Sequence, residues 1–333
     1  MLVRARAPFR ISFGGGGTDV PPYCWDRGGA VLNVTINKYA YSSVINAEGI
    51  RIRSVDLDIE EVLPKGKLIY NGGKLDLIKA AINQFSISNG LSVETYSEMP
   101  AGSGMGTSSS LAVSLIASLS EMFGKKIEKH QIAMAAYHVE REELGQLGGY
   151  QDQFAAAFGG LNLMEFSREG VNVEPIKVKD DTLEEIQYRL LMFFTGRTRF
   201  SSSIHYEMKK RYEMEKERET QVRDEMKKIA YELQSALIEG DLDGFGELMH
   251  RNWELKKMMS DSISSEEIDR AYASLLKAGA LGGKIQGAGG GGYLIMFTKK
   301  DKRAEVLKEG MKMGLEPFSF RFEMSGVRVW KTE

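Results

Sequence analysis

Glycine is concentrated in four short clusters, and these constrain the chain more than any other feature of its sequence. The 36 glycines among 333 residues are about 11% of the chain, against a usual content of about 7%. Clustered glycine is typical of backbone that lies close to a neighbour or takes a positive φ angle. The clusters lie at Gly14–Gly17, Gly102–Gly106, Gly145–Gly149 and Gly287–Gly292. We therefore expect the functional residues at these four places.

The composition indicates a water-soluble globular protein whose partners are small molecules. The net charge is −2, so the chain lacks the electrostatic footprint of a protein that binds nucleic acid or an anionic membrane. The single cysteine, Cys24, excludes an intrachain disulfide and a thiolate zinc cluster, and we expect it to be inert packing in a reducing compartment. The N-terminal residues lack an apolar signal region, and no stretch approaches the roughly 20 apolar residues of a membrane span. These features predict a cytoplasmic monomer or homodimer.

Strand-like and helix-like segments alternate in the first half of the chain. β-Branched and aromatic residues predict a strand over Val31–Ile45, and a run that is apolar on most faces predicts a buried helix over Ser108–Phe123. The polar stretch Lys177–Glu185 then divides the chain into predicted domains 1–178 and 179–333.

The second domain has a different predicted order of elements. It begins with a strand, continues through a long helical region, and then has two strands around the last glycine cluster, a helix and a closing strand over Phe318–Trp330. This order predicts an α+β protein whose second domain is a split-βαβ, ferredoxin-like unit.

The second glycine cluster has the features of a phosphate-binding loop. Residues 99–111 read MPAGSGMGTSSSL, between a predicted strand and the predicted buried helix. The first N–H groups of a helix have no intrahelical partner, so a glycine loop with hydroxyls at that position favours a polyphosphate over a simple turn. No Lys-Ser/Thr follows the glycines, so the loop is not a P-loop. The predicted phosphate-binding residues are Gly102, Ser103, Gly104, Met105, Gly106, Thr107, Ser108 and Ser109.

The last glycine cluster formally matches a dinucleotide-binding fingerprint, but its context does not. That fingerprint needs a helix after the glycines, whereas Tyr293–Phe297 is strand-like. Five glycines within Gly287–Gly292 exceed what a hairpin turn requires. We therefore expect this run to contact a ligand.

Three segments together resemble the three motifs of the GHMP kinases, the family of galactokinase and mevalonate kinase. They are APFRISFGGGGTD at 7–19, the loop at 100–109 and KIQGAGGGG at 284–292, in the family's order and over nearly the whole chain. Within the family, FGGGGTDVPPY and GGYQDQFAAAFGG most resemble the branch that phosphorylates D-glycero-D-manno-heptose 7-phosphate, to which the kinase domain of fucokinase is related. The resemblance implies an S5-like N-terminal domain, a ferredoxin-like C-terminal domain, and an active site between them that uses ATP and Mg²⁺.

The resemblance also implies which residues perform the transfer. Asp152 corresponds to the aspartate near the acceptor hydroxyl, and Arg10 to a cation that stabilises the transferring charge. Ser108 and Glu140 correspond to the Mg²⁺ ligands, with Glu142 and Glu143 as competitors of Glu140. The alternative for each of these residues is an ordinary structural role, as a charged or polar residue at the surface or at a helix terminus.

The acceptor site is implied to include Asp19, as in galactokinase-like members. Gly15–Gly17 replaces the Gly-Glu-His of galactokinase, which argues against galactose and for a different or bulkier sugar. A phosphorylated sugar also needs a cation for its phosphate, and Arg199 is the first candidate, with Lys284 and Arg197 as alternatives. The full predicted set of substrate-binding residues is Gly16, Gly17, Thr18, Asp19, Gly149, Arg199, Gly287 and Gly289.

The expected activity is thus ATP-dependent phosphorylation of the anomeric hydroxyl of the heptose 7-phosphate. The product, heptose 1,7-bisphosphate, would feed nucleotide-activated heptose for surface glycans. Two alternatives remain open. One is a fucokinase-like kinase of an unphosphorylated sugar, and the other is a sugar- or nucleotide-binding regulator that does not catalyse.

Overall fold

The computed structural model describes residues 1–198 and 201–332, which form two sheets with helices packed against them. The strands of the first sheet are β1 (Leu2–Gly14), β2 (Gly29–Asn46), β3 (Ile50–Ser54), β4 (Ile59–Leu63), β5 (Leu91–Ser97), β6 (Leu161–Phe166), β7 (Val171–Pro175) and β12 (Arg328–Thr332). Their order across the sheet is β12-β1-β2-β5-β3-β4, and β6 pairs with β2 and with β7.

The long strand β2 organises this sheet, because its sequence is rich in β-branched and aromatic residues over its whole length. Its first half pairs with β6 and its second half with β5, while β1 runs antiparallel along both halves. The register of β1 against β2 shifts between Pro8 and Phe9 and again between Ser12 and Gly14. The second irregularity ends the strand where the first glycine cluster begins.

The helix α3 (Thr107–Met122) packs across β1 and β2, and it is buried on most faces as predicted. Its small residues let it approach the sheet closely, and two of its serines bond the strands beneath it. Ser110 Oγ donates to the carbonyl oxygen of Pro8, and Ser42 Oγ bonds Ser118 Oγ across the same interface. The other helices of this half are α1 (Tyr23–Arg27), α2 (Asp76–Gln84), α4 (Lys129–Tyr137), a π-helical turn (His138–Glu143) and α5 (Gln151–Phe158).

The second sheet is antiparallel, with the order β11-β8-β10-β9. If these four strands are numbered 1 to 4 along the chain, their order across the sheet is 4-1-3-2. This is the ferredoxin-like arrangement that the sequence predicts. Its strands are β8 (Leu190–Phe194), β9 (Ala280–Ile285), β10 (Tyr293–Thr298) and β11 (Glu316–Pro317). The helices around it are α6 (Asp180–Arg189), α7 (Ser201–Met214), α8 (Lys216–Glu239), α9 (Leu242–Lys257), a 3₁₀ turn (Asp261–Ile263), α10 (Glu266–Lys277) and α11 (Arg303–Lys312).

Two details differ from the sequence-based expectation. The closing strand predicted over Phe318–Trp330 is wrong, because only Glu316–Pro317 pairs in the second sheet, and Arg328–Thr332 pairs with β1 in the first. Strand propensity identifies extended backbone but does not choose its partner, which here lies at the other end of the chain. The polar stretch at 177–185 leads into α6 rather than forming a linker, and the division at residue 178 stays a prediction.

One hydrophobic cluster spans the two sheets and packs them against each other. Phe13 of β1 packs edge-on against Phe245 of α9, with ring centroids 5.2 Å apart. Phe245 packs in the same way on Phe297 of β10, at 5.3 Å. All three rings are fully buried.

Candidate active site

The loop at 102–106 leads into the open N-terminus of α3. Gly106 takes a left-handed conformation, with φ +76°, and no side chain of the described residues caps the helix. Ser108 is exposed at the first turn, while Ser103, Met105 and Ser109 are buried beneath it. This geometry leaves helix N–H groups directed at solvent together with a free hydroxyl, as an anion site requires. Phosphate binding by Thr107 and by the other loop residues stays a prediction.

The second and fourth glycine clusters lie backbone against backbone. A Cβ on Gly104 would lie 2.3 Å from the carbonyl oxygen of Gln286, and one on Gly287 would lie 2.7 Å from the Cα of Gly104. A Cβ on Gly289 would likewise meet the Ile263 carbonyl oxygen at 2.8 Å. Packing within the protein therefore accounts for these glycines, and the predicted substrate contacts of Gly287 and Gly289 stay predictions.

Arg10 and Asp152 form an ion pair beside the phosphate loop. Arg10 Nε and Nη2 both contact Asp152 Oδ1, at 2.8 and 2.7 Å, and Arg10 Nη1 donates to the Gly104 carbonyl oxygen at 2.7 Å. The other carboxylate oxygen, Oδ2, accepts no hydrogen bond from the described part of the chain. It lies 3.3 Å from the position of a Cβ on Gly106, so it faces the start of α3. One carboxylate oxygen is thus held by arginine, and the other lies free beside Gly106, at the start of α3.

Asp19 connects the first and third glycine clusters. Its Oδ1 accepts from the N–H of Gly17 at 3.0 Å, and its Oδ2 accepts from the N–H of Gln151 at 3.1 Å. A Cβ on Gly149 would lie 2.0 Å from Asp19 Oδ2, so only glycine permits this approach. The neighbouring Thr18 uses its hydroxyl on both backbone groups of Ala30. The hydroxyl of Thr18 is thus engaged within the protein, and the substrate contact of Thr18 stays a prediction.

Glu140 lies in the π-helical turn and is almost fully buried. Its Oε2 accepts from Gln153 Nε2 at 2.6 Å, and within residues 1–198 and 201–332 it forms no ion pair. A buried carboxylate without a cationic partner is costly, so the position suits a bound cation. The two competitors are already engaged: Glu142 pairs with His138 at the surface, and Glu143 accepts from the Tyr70 hydroxyl.

The donor set fits Mg²⁺, because Ser108 and Glu140 offer oxygen ligands only. The part of the chain that the structure describes holds no cluster of three His, Cys, Asp or Glu side chains around a metal position. Mg²⁺ is usually held by one or two carboxylates together with nucleotide phosphates and water, so a small protein ligand set is sufficient.

Four polar side chains are buried around Gly16, in the region between the two sheets that we call the cleft. The sequence analysis missed three of them and named the fourth, Lys284, only as an alternative. Ser12 and Gln151 are buried, and Ser12 Oγ and Gln151 Nε2 have no hydrogen-bond partner among the described residues. Lys256 and Lys284 are buried lysines, whose Nζ atoms donate to the carbonyl oxygens of Gly16 and Ser12, both at 3.2 Å. Lys256 stands beside the surface residue Lys257 in the sequence, and no pattern there distinguishes the two.

The other two candidates for a phosphate-binding cation are Arg197 and Arg199. Arg197 pairs with Glu267 at the exposed surface, 3.1 Å apart, while Arg199 lies outside the described residues. Of the two described candidates, Lys284 is the one inside the cleft.

Comparison with known proteins identifies the family. The GHMP kinase N-terminal domain matches residues 75–160, and the GHMP kinase C-terminal domain matches residues 233–313. A D-glycero-alpha-D-manno-heptose 7-phosphate kinase of Campylobacter jejuni is 33% identical over 337 residues, which span 99% of both chains. The chain belongs to the GHMP kinase family.

Further relatives agree with this family assignment. The crystal structure of a D-glycero-D-manno-heptose 1-phosphate kinase from Bacteroides thetaiotaomicron is similar, with a TM-score of 0.82 and 30% identity over 99% of both chains. An L-fucokinase/L-fucose-1-P guanylyltransferase of Bacteroides fragilis is 27% identical over 92% of this chain and 36% of its own length. The two-domain α+β fold expected from the resemblance is confirmed.

Membership also settles the class of reaction. GHMP kinases are phosphotransferases that use ATP as the phosphate donor, and this GHMP kinase is an enzyme of that class. Across residues 1–198 and 201–332, no helix combines the length and apolar character needed to cross a bilayer.

Proposed function

We propose that this GHMP kinase transfers the γ-phosphate of ATP to the anomeric hydroxyl of D-glycero-D-manno-heptose 7-phosphate, giving heptose 1,7-bisphosphate in the cytoplasm. The observation that carries the transfer chemistry is the free Oδ2 of Asp152 beside the N-terminus of α3. The substrate is supported by the full-length similarity to a heptose 7-phosphate kinase and by the buried lysines of the cleft.

In this mechanism the protein positions the reactants and neutralises charge. The first N–H groups of α3 bind the triphosphate. Asp152 Oδ2 accepts the proton of the acceptor hydroxyl as the hydroxyl oxygen attacks the γ-phosphorus, and the bond from that phosphorus to the β,γ-bridging oxygen breaks, so that ADP leaves. Arg10 keeps Asp152 oriented through Oδ1 and adds a positive charge near the transferring group. Mg²⁺, held by Ser108 and Glu140, would neutralise the charge on the phosphate oxygens.

The first test is ATP consumption with Mg²⁺ against a panel of acceptors. The panel contains the manno-heptose 7-phosphate, sedoheptulose 7-phosphate, fucose, mannose, galactose and mevalonate. We expect selective turnover of the manno-heptose 7-phosphate. Selective turnover of fucose would instead support the second candidate, which the similarity to a fucokinase favours.

The role of Asp152 is tested by the variant Asp152→Asn. Asparagine keeps an oxygen for Arg10 but cannot take the proton, so we expect kcat to fall by about 10²- to 10⁴-fold while ATP binding is retained. Steady-state kinetics and calorimetric titration with ATP measure the two quantities. The exposed Asp301→Asn is the matched control and should behave as wild type. Near-normal turnover by Asp152→Asn would remove Asp152 from the mechanism.

A further inference from the structure

The backbone at Gly16 borders a small space lined by polar groups. A Cβ on Gly16 would lie 3.4 Å from Ser12 Oγ and 3.9 Å from both Gln151 Oε1 and Lys284 Nζ. These are contact distances rather than clashes, and the φ angle of Gly16 lies outside the positive range. Neither packing nor backbone conformation therefore explains why this residue is glycine, in contrast to Gly104 or Gly149.

The groups around this space have unused capacity to donate hydrogen bonds. Ser12 Oγ is a buried donor that lacks a partner within the described ranges, whereas the atom of Gln151 nearest to this space is its amide oxygen, Oε1. The ammonium group of Lys284 uses one of its three donors on the Ser12 carbonyl oxygen. A buried donor without a partner costs about 1–3 kcal/mol, so Ser12 Oγ and the remaining donors of Lys284 favour a ligand with several acceptor oxygens.

Two buried lysine side chains lie close to this segment. Lys256 Nζ donates to the Gly16 carbonyl oxygen at 3.2 Å and lies 3.0 Å from the position of a Cβ on Gly17. Neither Lys256 nor Lys284 forms an ion pair with any carboxylate of residues 1–198 and 201–332. Asp19, the nearby acid, uses both of its oxygens on backbone N–H groups. Burial lowers the pKa of Lys256 to about 8, and burial with the neighbouring Lys256 lowers that of Lys284 well below its usual value.

We propose that Lys256 and Lys284, together with Ser12 Oγ, bind the phosphate group that the acceptor already carries, in the space left by Gly16. This inference rests on the proposed function, because it assigns one end of the proposed substrate. A phosphate dianion supplies the missing negative charge and enough acceptor oxygens for the donors around Gly16. Lys256 and Lys284 thereby select phosphorylated over unphosphorylated sugars.

The kinetic test compares two acceptors, the manno-heptose 7-phosphate and the same heptose without its phosphate. We expect Lys256→Met and Lys284→Met each to lower kcat/KM for the phosphorylated acceptor by about 10- to 100-fold, mainly through KM. The unphosphorylated heptose should lose less than about threefold, since it never contacts these charges. Equal losses on both acceptors would overturn the proposal and assign the lysines to the sugar or to the transferring phosphate.

A variant of the backbone position provides a second test. Gly16→Ala fits without strain, so we expect its thermal unfolding to match wild type while its methyl group excludes the phosphate and raises KM for the phosphorylated acceptor. Lys257→Met is the matched control, because Lys257 pairs with Glu254 and Asp269 outside the cleft. It should retain wild-type kinetics. A folded Gly16→Ala with unchanged KM would overturn the placement of the phosphate.

Direct binding of inorganic phosphate separates this inference from the proposed function. Calorimetric titration is performed with the nucleotide site filled by a non-hydrolysable ATP analogue. We expect binding to wild type and Lys257→Met, and at least about tenfold weaker binding to Lys256→Met and Lys284→Met. If no sugar is turned over but this pattern holds, the proposed function fails and the phosphate site stands. If both lysine variants bind phosphate as wild type does, the inference fails whatever the acceptor.

Discussion

At the scale of single residues, chemically identical groups in and near the site differ in burial and in hydrogen-bond partners. Asp152 has one oxygen fixed by Arg10 and the other open to the phosphate loop. Lys256 and Lys257 are neighbours in α9, yet one is buried against the cleft and the other is paired at the surface. The chemistry of each group is therefore set by its neighbours in the fold.

The burial of Lys256 predicts a pH dependence of acceptor binding. Its pKa is lowered to about 8, so the ammonium ion prevails below pH 8 and the neutral amine above it. We expect KM for the phosphorylated acceptor to rise by up to about tenfold per pH unit above 8, while KM for the unphosphorylated heptose stays flat. The charged and titratable groups that face Lys256 are Arg10, Asp19, His205, Glu219, Arg223 and Lys284.

The variant Lys256→Arg is the control for this profile, because arginine keeps its charge throughout the accessible range. It should remove the rise above pH 8 even if its absolute KM differs. A rise that persists in Lys256→Arg would assign the titration to another group.

The sequence predicts these residues to different degrees. Arg10 and Asp152 belong to motifs with a fixed order, and the structure confirms that they lie in contact. Lys256 has no such motif, because a lysine on a charged helix has the same local pattern whether it faces solvent or a cleft. Its burial follows from the packing of α9 against the first glycine cluster, and such tertiary contacts cannot be read from the local sequence.

At the scale of elements, α3 is the part of the fold that, in the proposed mechanism, brings ATP close to Asp152. Its buried small residues fix it on β1 and β2, and its uncapped N-terminus is therefore held rigidly beside Asp152. Gly106 is the junction, because it takes the left-handed conformation and leaves room for the carboxylate. The sequence predicted this helix and loop well, since both depend on local pattern.

We expect Gly106→Ala to reduce kcat strongly. The added Cβ would lie 3.2 Å from Asp152 Cγ and would displace the carboxylate, and the left-handed backbone costs about 1–2 kcal/mol of stability. Gly124→Ala at the other end of α3 is a matched control, because Gly124 has a similar φ of +67° and open space around it. Both variants should lose similar stability in thermal unfolding. Equal kcat values for both would show that the contact with Asp152 has no consequence.

At the scale of the whole molecule, the two sheets are joined at the floor of the site. Gln286, at the end of β9, accepts from the N–H of Ser12 at 2.7 Å and donates to its carbonyl oxygen at 3.2 Å. The Gln286 side chain thus pairs with β1 as a neighbouring strand would. It also places the last glycine cluster, Gly287–Gly292, against the second glycine cluster, Gly102–Gly106. The sequence indicated two domains but not this joint, because a lone glutamine carries no signal of its distant partner.

Replacing Gln286 by leucine tests this joint. The N–H of Ser12 would be left buried without a partner, whereas its carbonyl oxygen keeps Lys284, so we expect the free energy of unfolding to fall by about 1–3 kcal/mol. Denaturant unfolding measures the loss, and the exposed Gln221→Leu should show little change. Unchanged stability in Gln286→Leu would mean that the shared core alone joins the sheets.

The pairing of β12 with β1 has a consequence for synthesis. Leu2 lies opposite Thr332, so β1 is synthesised long before the strand that covers its outer edge. Until then the outer edge of β1 is open, and an open edge is a template for pairing with another chain. We therefore expect the nascent protein to be prone to aggregation until β12 emerges and pairs with β1. A chaperone that covers strand edges would act during that time.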